Sequence, residues 1–276
     1  MKPALPKLGI VAGAGELPLQ IARACERGSR EFHVIAIDEF ASPMPQSFPH
    51  TRLKISKVGA CLRALKRTAC REVVFAGKFE RPQGQVKIRP DWGGIAFLVR
   101  YLGVLGRSDD SLHRAFADLL SRHGFRVVSP LDANADLAAR PGCLTAIEPN
   151  EAQKASFANA LSLAKKHGAT DEGQAVVVAG DVIVAREGRA GTDAMLAALS
   201  KTEAKDAILV KAMKPNQLPT IDPPAIGEST VVNAAKAGLA GILVEAGRSV
   251  IVDEERVRAR ANELGIFVYA GRADEP

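Results

Sequence analysis

A chain of 276 residues that is 47% apolar can bury one large core or two ordinary ones. Charged residues make up 25% and aromatics 5%, and Lys and Arg exceed Asp and Glu by 37 to 31 for a net +6. That mild, scattered excess reads as solvated helix faces. No basic motif interleaved with aromatics points to nucleic acid. Cys25, Cys61, Cys70 and Cys143 form neither a disulfide framework nor a CxxC metal site and are expected reduced. No apolar run approaches a membrane span and the first residues lead straight into a strand, so a cytoplasmic protein is expected, with at most peripheral membrane contact.

In chain order, LGIVAGAGELPLQIARACERG reads as a strand, a glycine turn and an amphipathic helix, and HVIAIDEF as a second strand ending in Asp38. Val58, Leu62 and Leu65 recur at helical spacing, and REVVFAGKF is a third strand closing on a Gly-Lys turn. DSLHRAFADLLSRHGF is a helix and RVVSP a short strand. Alternation of strand and helix predicts a parallel, Rossmann-like sheet over residues 1–133. Between 134 and 150 the pattern lapses, which predicts a linker or hinge. Residues 151–276 are expected to form an α+β domain. It would contain a helix from Glu151 to His167 and strands QAVVVAG, DVIVAR and AILVKA. Helices follow near 192, 231–237 and 254–264, GILVEAG and SVIVDE read as a hairpin around Gly247-Arg248, and IFVYAG is the last strand.

Residues with chemistry gather in a few turns. Ala12-Gly13-Ala14-Gly15-Glu16-Leu17-Pro18 sits between strand and helix like a dinucleotide turn, but Pro18 occupies the third glycine position of GxGxxG. A nucleotide phosphate at the helix start and a merely structural turn both fit. Gly77-Lys78 ends the third strand, where a lysine could meet phosphate or simply face water. Asp109 and Asp110 could cap a helix, accept from a ribose or help hold a metal, and His113 reads as a surface residue. From 187 to 230 the sequence sets Glu187, Thr192, Asp193, Lys211, Lys214, Gln217 and Asp222 among glycines and prolines. Carboxylates and lysines in turns suit phosphate chemistry with a divalent cation, while a helix cap also explains Thr192 and Asp193. Pro223 keeps Asp222 out of helix. HExxH, GxSxG and the Walker loop are all missing.

Taken in order, GIVAGAGELP, AGKFERP, GRSDDSLHRA, GQAVVV, GTDAML, VKAMKPNQ, DPPAIGEST and AGLAGILVEAG resemble the UDP-2,3-diacylglucosamine pyrophosphatases of the LpxI type, from residue 9 to about 270. The resemblance implies hydrolysis of UDP-2,3-diacylglucosamine to UMP and 2,3-diacylglucosamine 1-phosphate with Mg²⁺ (or Mn²⁺), in lipid A biosynthesis. It further implies a homodimer peripheral to the cytoplasmic face of the inner membrane. Ala12, Gly13, Gly15, Glu16, Leu17, Gly77, Lys78, Asp109 and Asp110 match positions facing the nucleotide or its phosphates, and Thr192 and Gln217 match further substrate positions. Asp193, Asp222 and Glu187 are the implied metal ligands, and Asp222, Asp193, Lys211 and Lys214 the implied catalytic set. The segment from Ala234 to Val244 could line an apolar cavity for the acyl chains, with ordinary core as the competing reading.

The sequence departs from the family pattern at four positions. Ala190 stands where an acid is common, Leu218 and Thr220 replace an Asp and an Arg, and Ala225 is small. Those departures keep open a nucleotide-sugar-binding regulatory protein without turnover. An NAD-dependent oxidoreductase is disfavoured by Pro18.

Overall fold

A computed structural model describes residues 5–79, 89–101, 109–170, 172–199, 204, 206–215 and 223–272, with the side chains of 98 and 109–113 outside the description. Two compact units divide between Ala135 and Asp136.

The first unit runs β1 (Leu8–Ala12), α1 (Leu17–Arg27), β2 (Phe32–Ile37), β3 (His50–Leu53), α2 (Val58–Arg67), β4 (Glu72–Ala76), α3 (Trp92–Tyr101), α4 (Asp109–Arg122), β5 (Arg126–Val127) and α5 (Pro130–Ala133). Its sheet has the order β3-β2-β1-β4-β5, every pairing parallel. All five residues of β1 are buried, as a central parallel strand covered on both faces requires. Pro18 fits the first turn of α1, where an amide has no helical partner to lose. Leu19, Ile21, Ala22 and Cys25 then supply that helix's buried stripe. α3, β3 and α5 are elements that the sequence pattern did not announce.

A 3₁₀ turn (Ala135–Leu137) opens the second unit, followed by β6 (Gly142–Cys143), α6 (Glu151–Gly168), β7 (Ala175–Ala179), β8 (Val182–Arg186), α7 (Gly191–Ala198) and β9 (Ile208–Lys211). The chain continues with β10 (Ala225–Ile226), α8 (Glu228–Ala237), β11 (Gly241–Glu245), β12 (Val250–Ile251), α9 (Glu254–Leu264) and β13 (Phe267–Gly271). The main sheet is ordered β6-β13-β11-β9-β7-β8. Strands β13, β11 and β9 run parallel at its centre, and β6, β7 and β8 are antiparallel additions. β6 comes from the stretch expected to be a linker, so part of that stretch is built into this sheet.

Alternation of the strands separates two cores. Val176, Val178, Ile208, Val210 and Leu243 meet Phe157, Leu161 and Ala164 of α6. Val177, Leu209, Ile242, Val244 and Val268 meet α7, α8 and α9 on the opposite face. Ala234, Ala237, Leu239, Ile242 and Val244 all lie inside that second cluster, so the segment from 234 to 244 is core. The expected hairpin around Gly247-Arg248 does not form. β12 pairs in parallel with β10, and Val250 donates to the Pro224 carbonyl at 2.8 Å. The hairpin of this unit is β7–β8, turning at Gly180 with φ 57°.

Candidate functional site

Two edges carry the residues in question, one in each unit. In the first, the strand order reverses between β1 and β4, the switch point beyond whose carboxyl ends ligands of open parallel sheets bind. The loops after both strands meet there. Ala14 and Lys78 exchange backbone hydrogen bonds at 2.9 Å in each direction, and Gly13 donates to the Ala76 carbonyl at 2.8 Å. Glycine is required at the crossing: a Cβ on Gly13 would lie 2.5 Å from the Lys78 carbonyl oxygen. Gly77, at φ 91°, would place one 2.4 Å from that of Ala14. Gly15 donates to Ser42 Oγ at 3.2 Å. The amides of Gly13, Ala14 and Gly15 are thus spent on the fold, and Pro18 removes another from the helix start. The loop is a rigid ledge and not a phosphate cradle of the dinucleotide type. Ala12 is buried at the end of β1, Leu17 begins α1 half-buried, and Glu16 and Lys78 are exposed. Asp109 and Asp110 open α4, their side chains outside the described ones.

In the second unit the register gathers the other candidates along one edge. Ala175, first residue of β7, lies opposite Lys211, last residue of β9, and Glu187 just past β8 donates its amide to the Ala175 carbonyl at 3.0 Å. With strands about 4.8 Å apart, Lys211 and Glu187 stand about 10 Å from each other. Lys211 is buried and its Nζ donates to the Ala225 carbonyl at 3.2 Å. That carbonyl belongs to the backbone, so the small side chain of Ala225 does not weaken it. Lys214 passes over the end of α6, where a Cβ on Gly168 would sit 3.1 Å from its Cγ.

Glu187 is buried and fully engaged. Its Oε2 accepts from the amides of Gln174 (2.7 Å) and Ala175 (3.0 Å), and its Oε1 from the Thr192 hydroxyl at 2.6 Å. His167 Nε2 donates to its carbonyl oxygen at 2.8 Å. As a metal ligand Glu187 would have to share or surrender these bonds; as found, it ties the turn before α7 to β7. Asp193, one residue beyond Thr192, is exposed in the first turn of α7 and accepts from Asn233 Nδ2 at 2.9 Å. Ala190 precedes that helix in helical geometry and supplies no side-chain cap. Asp222, Gln217, Leu218 and Thr220 lie outside the described residues. Among the described residues no three of His, Cys, Asp and Glu converge in a group able to hold a metal ion.

The sequence did not single out Glu245. It closes β11 at this same edge, 5% exposed, and pairs with Lys165 Nζ at 2.8 Å while its Oε2 accepts the Met213 amide at 3.1 Å. It thereby fixes the backbone between Lys211 and Lys214. A carboxylate ending an otherwise apolar run, GILVE, was the available signal. The edge combines two buried acids that organise the loops with lysines brought to the strand ends. Such an edge can neutralise the oxygens of a phosphate ester.

The chain matches the LpxI N-terminal domain over residues 7–137 and the LpxI C-terminal domain over 140–269. It is 36% identical over 270 residues to UDP-2,3-diacylglucosamine pyrophosphatase LpxI of Caulobacter vibrioides, covering 95% of this chain and 96% of that one. Among solved structures, CobK precorrin-6A reductase is 11% identical with 96% and 86% coverage at a TM-score of 0.35. UDP-glucose 4-epimerase of Thermus thermophilus, in complex with NAD, is 15% identical with 96% and 85% coverage at a TM-score of 0.29. Likenesses that slight carry no argument.

Proposed function

The chain belongs to the LpxI family, and from that premise we infer that it hydrolyses the pyrophosphate bond of UDP-2,3-diacylglucosamine, giving UMP and 2,3-diacylglucosamine 1-phosphate in lipid A biosynthesis. It is a hydrolase acting on a phosphoric anhydride. The observation that supports the siting of the chemistry is the register of the second sheet, in which Lys211 lies opposite Ala175 and Glu187 is bonded to that residue and to Thr192.

A hard divalent cation wants oxygen donors, and carboxylates are what this chain offers. Asp193, exposed at a helix start, fits that requirement, and Asp222 is the proposed second ligand. Glu187 fits better as the residue that positions Thr192 and the turn carrying Asp193. Mg²⁺ (or Mn²⁺), when bound, supplies charge neutralisation for the pyrophosphate and acidifies water. The ammonium groups of Lys211 and Lys214 stabilise charge developing on the phosphate oxygens, a contribution of about 3 kcal/mol for one well-placed donor. Asp222 accepts a proton from the attacking water. Gly13, Gly77 and Lys78 are the positions of the first unit proposed to face the nucleotide.

Since the substrate carries two acyl chains, the same reading puts the enzyme in the cytoplasm at the inner membrane's surface; a homodimer is proposed from the family resemblance alone. No helix among the described residues is long and apolar enough to cross a membrane. UMP release from UDP-2,3-diacylglucosamine, followed with Mg²⁺ and with chelator, tests the chemistry. Release should need the metal and should vanish in Asp222→Ala and Asp193→Ala. Substrate binding without release would identify a nucleotide-sugar-binding protein instead.

A further inference from the structure

α3 buries one side and leaves the other in water. Phe97 and Tyr101 join Val58 and Ala115 in a core cluster, with Phe97 stacked on Phe116 at 4.3 Å. On the opposite side Trp92 is 86% exposed, Ile95 40% and Val99 68%, with exposed Ala96 between them. Scattered apolar residues are ordinary on a surface. Large ones recurring at i, i+3 and i+7 form a stripe that a soluble helix does not need.

The flank of that stripe is basic. α2 packs against the start of α3 glycine to glycine, since a Cβ on Gly93 would lie 2.5 Å from the Gly59 Cα. From Gly59 the same side of α2 continues through Arg63 to Lys66 and Arg67, all exposed, at i+4, i+7 and i+8. Arg89 and Arg100 are exposed at either end of α3. Nearby acids are committed elsewhere. Asp91 accepts from the amides of Gly59, Ala60 and Gly94 and pairs with Arg63 at 3.6 Å. Asp118 accepts from Tyr101 and pairs with Arg122.

We propose that the outer face of α3 docks on an anionic lipid bilayer, with Trp92, Ile95 and Val99 entering the boundary between headgroups and acyl chains. Lys66, Arg67, Arg89 and Arg100 meet the headgroup phosphates. The proposal rests on the reading of an acylated substrate and names the surface from which that substrate is met. Amphipathic interfacial helices combine these two features, an apolar face carrying Trp and a basic border. A second copy of the chain is the poorer occupant, because a two-fold interface would set one basic ridge against its own twin.

Trp92 is the chain's single tryptophan, so its fluorescence reports this face alone. Mixing the full-length protein with phosphatidylcholine vesicles containing phosphatidylglycerol should shift its emission to the blue and expose it to brominated-lipid quenching. Vesicles of phosphatidylcholine alone should bind at least about tenfold more weakly. Val99→Glu should lower partitioning by about tenfold with an unchanged far-UV CD spectrum. The same variant should keep its turnover of detergent-dispersed UDP-2,3-diacylglucosamine and lose turnover of the vesicle-embedded substrate. Vesicle binding that leaves Trp92 unshifted, or no vesicle binding at all, overturns the proposal. So does a blue shift that grows with protein concentration in the absence of lipid, which would make the face a self-association surface. Failure of turnover in detergent would strike the hydrolase reading instead, since the fluorescence measurement uses no substrate.

Discussion

Glu187 shows how one buried carboxylate can organise a site without being consumed by it. Three hydrogen bonds reach its side chain, two of them from the amides of Gln174, just before β7, and Ala175, its first residue. Gly173 makes room for it: a Cβ there would lie 2.7 Å from the Glu187 Cβ. Charge-assisted bonds of this kind are roughly twice as strong as neutral ones, and donors left unpaired in the interior cost more than the bonds contribute. Glu187→Ala should therefore lower stability by about 3 kcal/mol, read from urea unfolding. Glu187→Gln can still accept both amides with its Oε1 and donate to the Thr192 hydroxyl, so most of that loss should be absent. If Glu187→Ala unfolds like the parent, the carboxylate is not the fastening that its bonds describe.

At the scale of elements, Asp91 joins the starts of two helices. Lys57 precedes α2 without capping it. From the residue before α3, Asp91 reaches back so that its Oδ1 accepts from Gly59 (3.1 Å) and Gly94 (2.8 Å) and its Oδ2 from Ala60 (2.8 Å). Burial pushes this carboxyl upward, but the amides of Gly94, Gly59 and Ala60 with Arg63 outweigh it and hold it below the ordinary 3.8. A depressed carboxylate stabilises the fold above its unfolded value, and that part is lost as pH falls from 3.8 through the lower folded value. Asp91→Asn should cost about 1–2 kcal/mol at neutral pH. The gap between variant and parent in urea should close in acid; a gap independent of pH would remove the charge from the account. This pairing was invisible in the sequence because its partners lie 31 and 32 residues away. α3 itself was hidden by two early glycines and by apolar residues on both of its faces, which blur the contrast that marks a helix in a sequence. By contrast, β1, β2 and β4 were plain as short apolar runs beside glycine turns, and α6 as a long helical pattern. β12 was misjudged because its partner is chosen by tertiary contact with β10 and not by the turn before it. Glu245 stands next to the expected turn, so its place at the end of a parallel strand is set by tertiary contact as well.

Across the whole molecule each unit presents the carboxyl ends of parallel strands as its candidate edge, and the two edges carry lysines in different settings. Lys78 is exposed beside the glycine ledge of the first, while Lys211 is 6% exposed and held by the Ala225 carbonyl in the second. If the ledge faces the nucleotide as proposed, an exposed lysine there would attract the substrate's phosphates equally before and during reaction. Its removal should weaken binding without slowing the chemical step. A buried lysine at the proposed phosphate edge has its largest effect where charge accumulates, in the transition state. Lys78→Ala is therefore expected to raise KM by about tenfold with kcat nearly unchanged, about 1.4 kcal/mol of uniform binding. Lys211→Met keeps the packing of the buried stem while removing its charge, and should lower kcat by about a hundredfold with KM little altered, about 3 kcal/mol. Steady-state UMP release from UDP-2,3-diacylglucosamine with saturating Mg²⁺ separates the two. The opposite split, with Lys211 governing KM and Lys78 governing kcat, would overturn the assignment of transition-state stabilisation to Lys211.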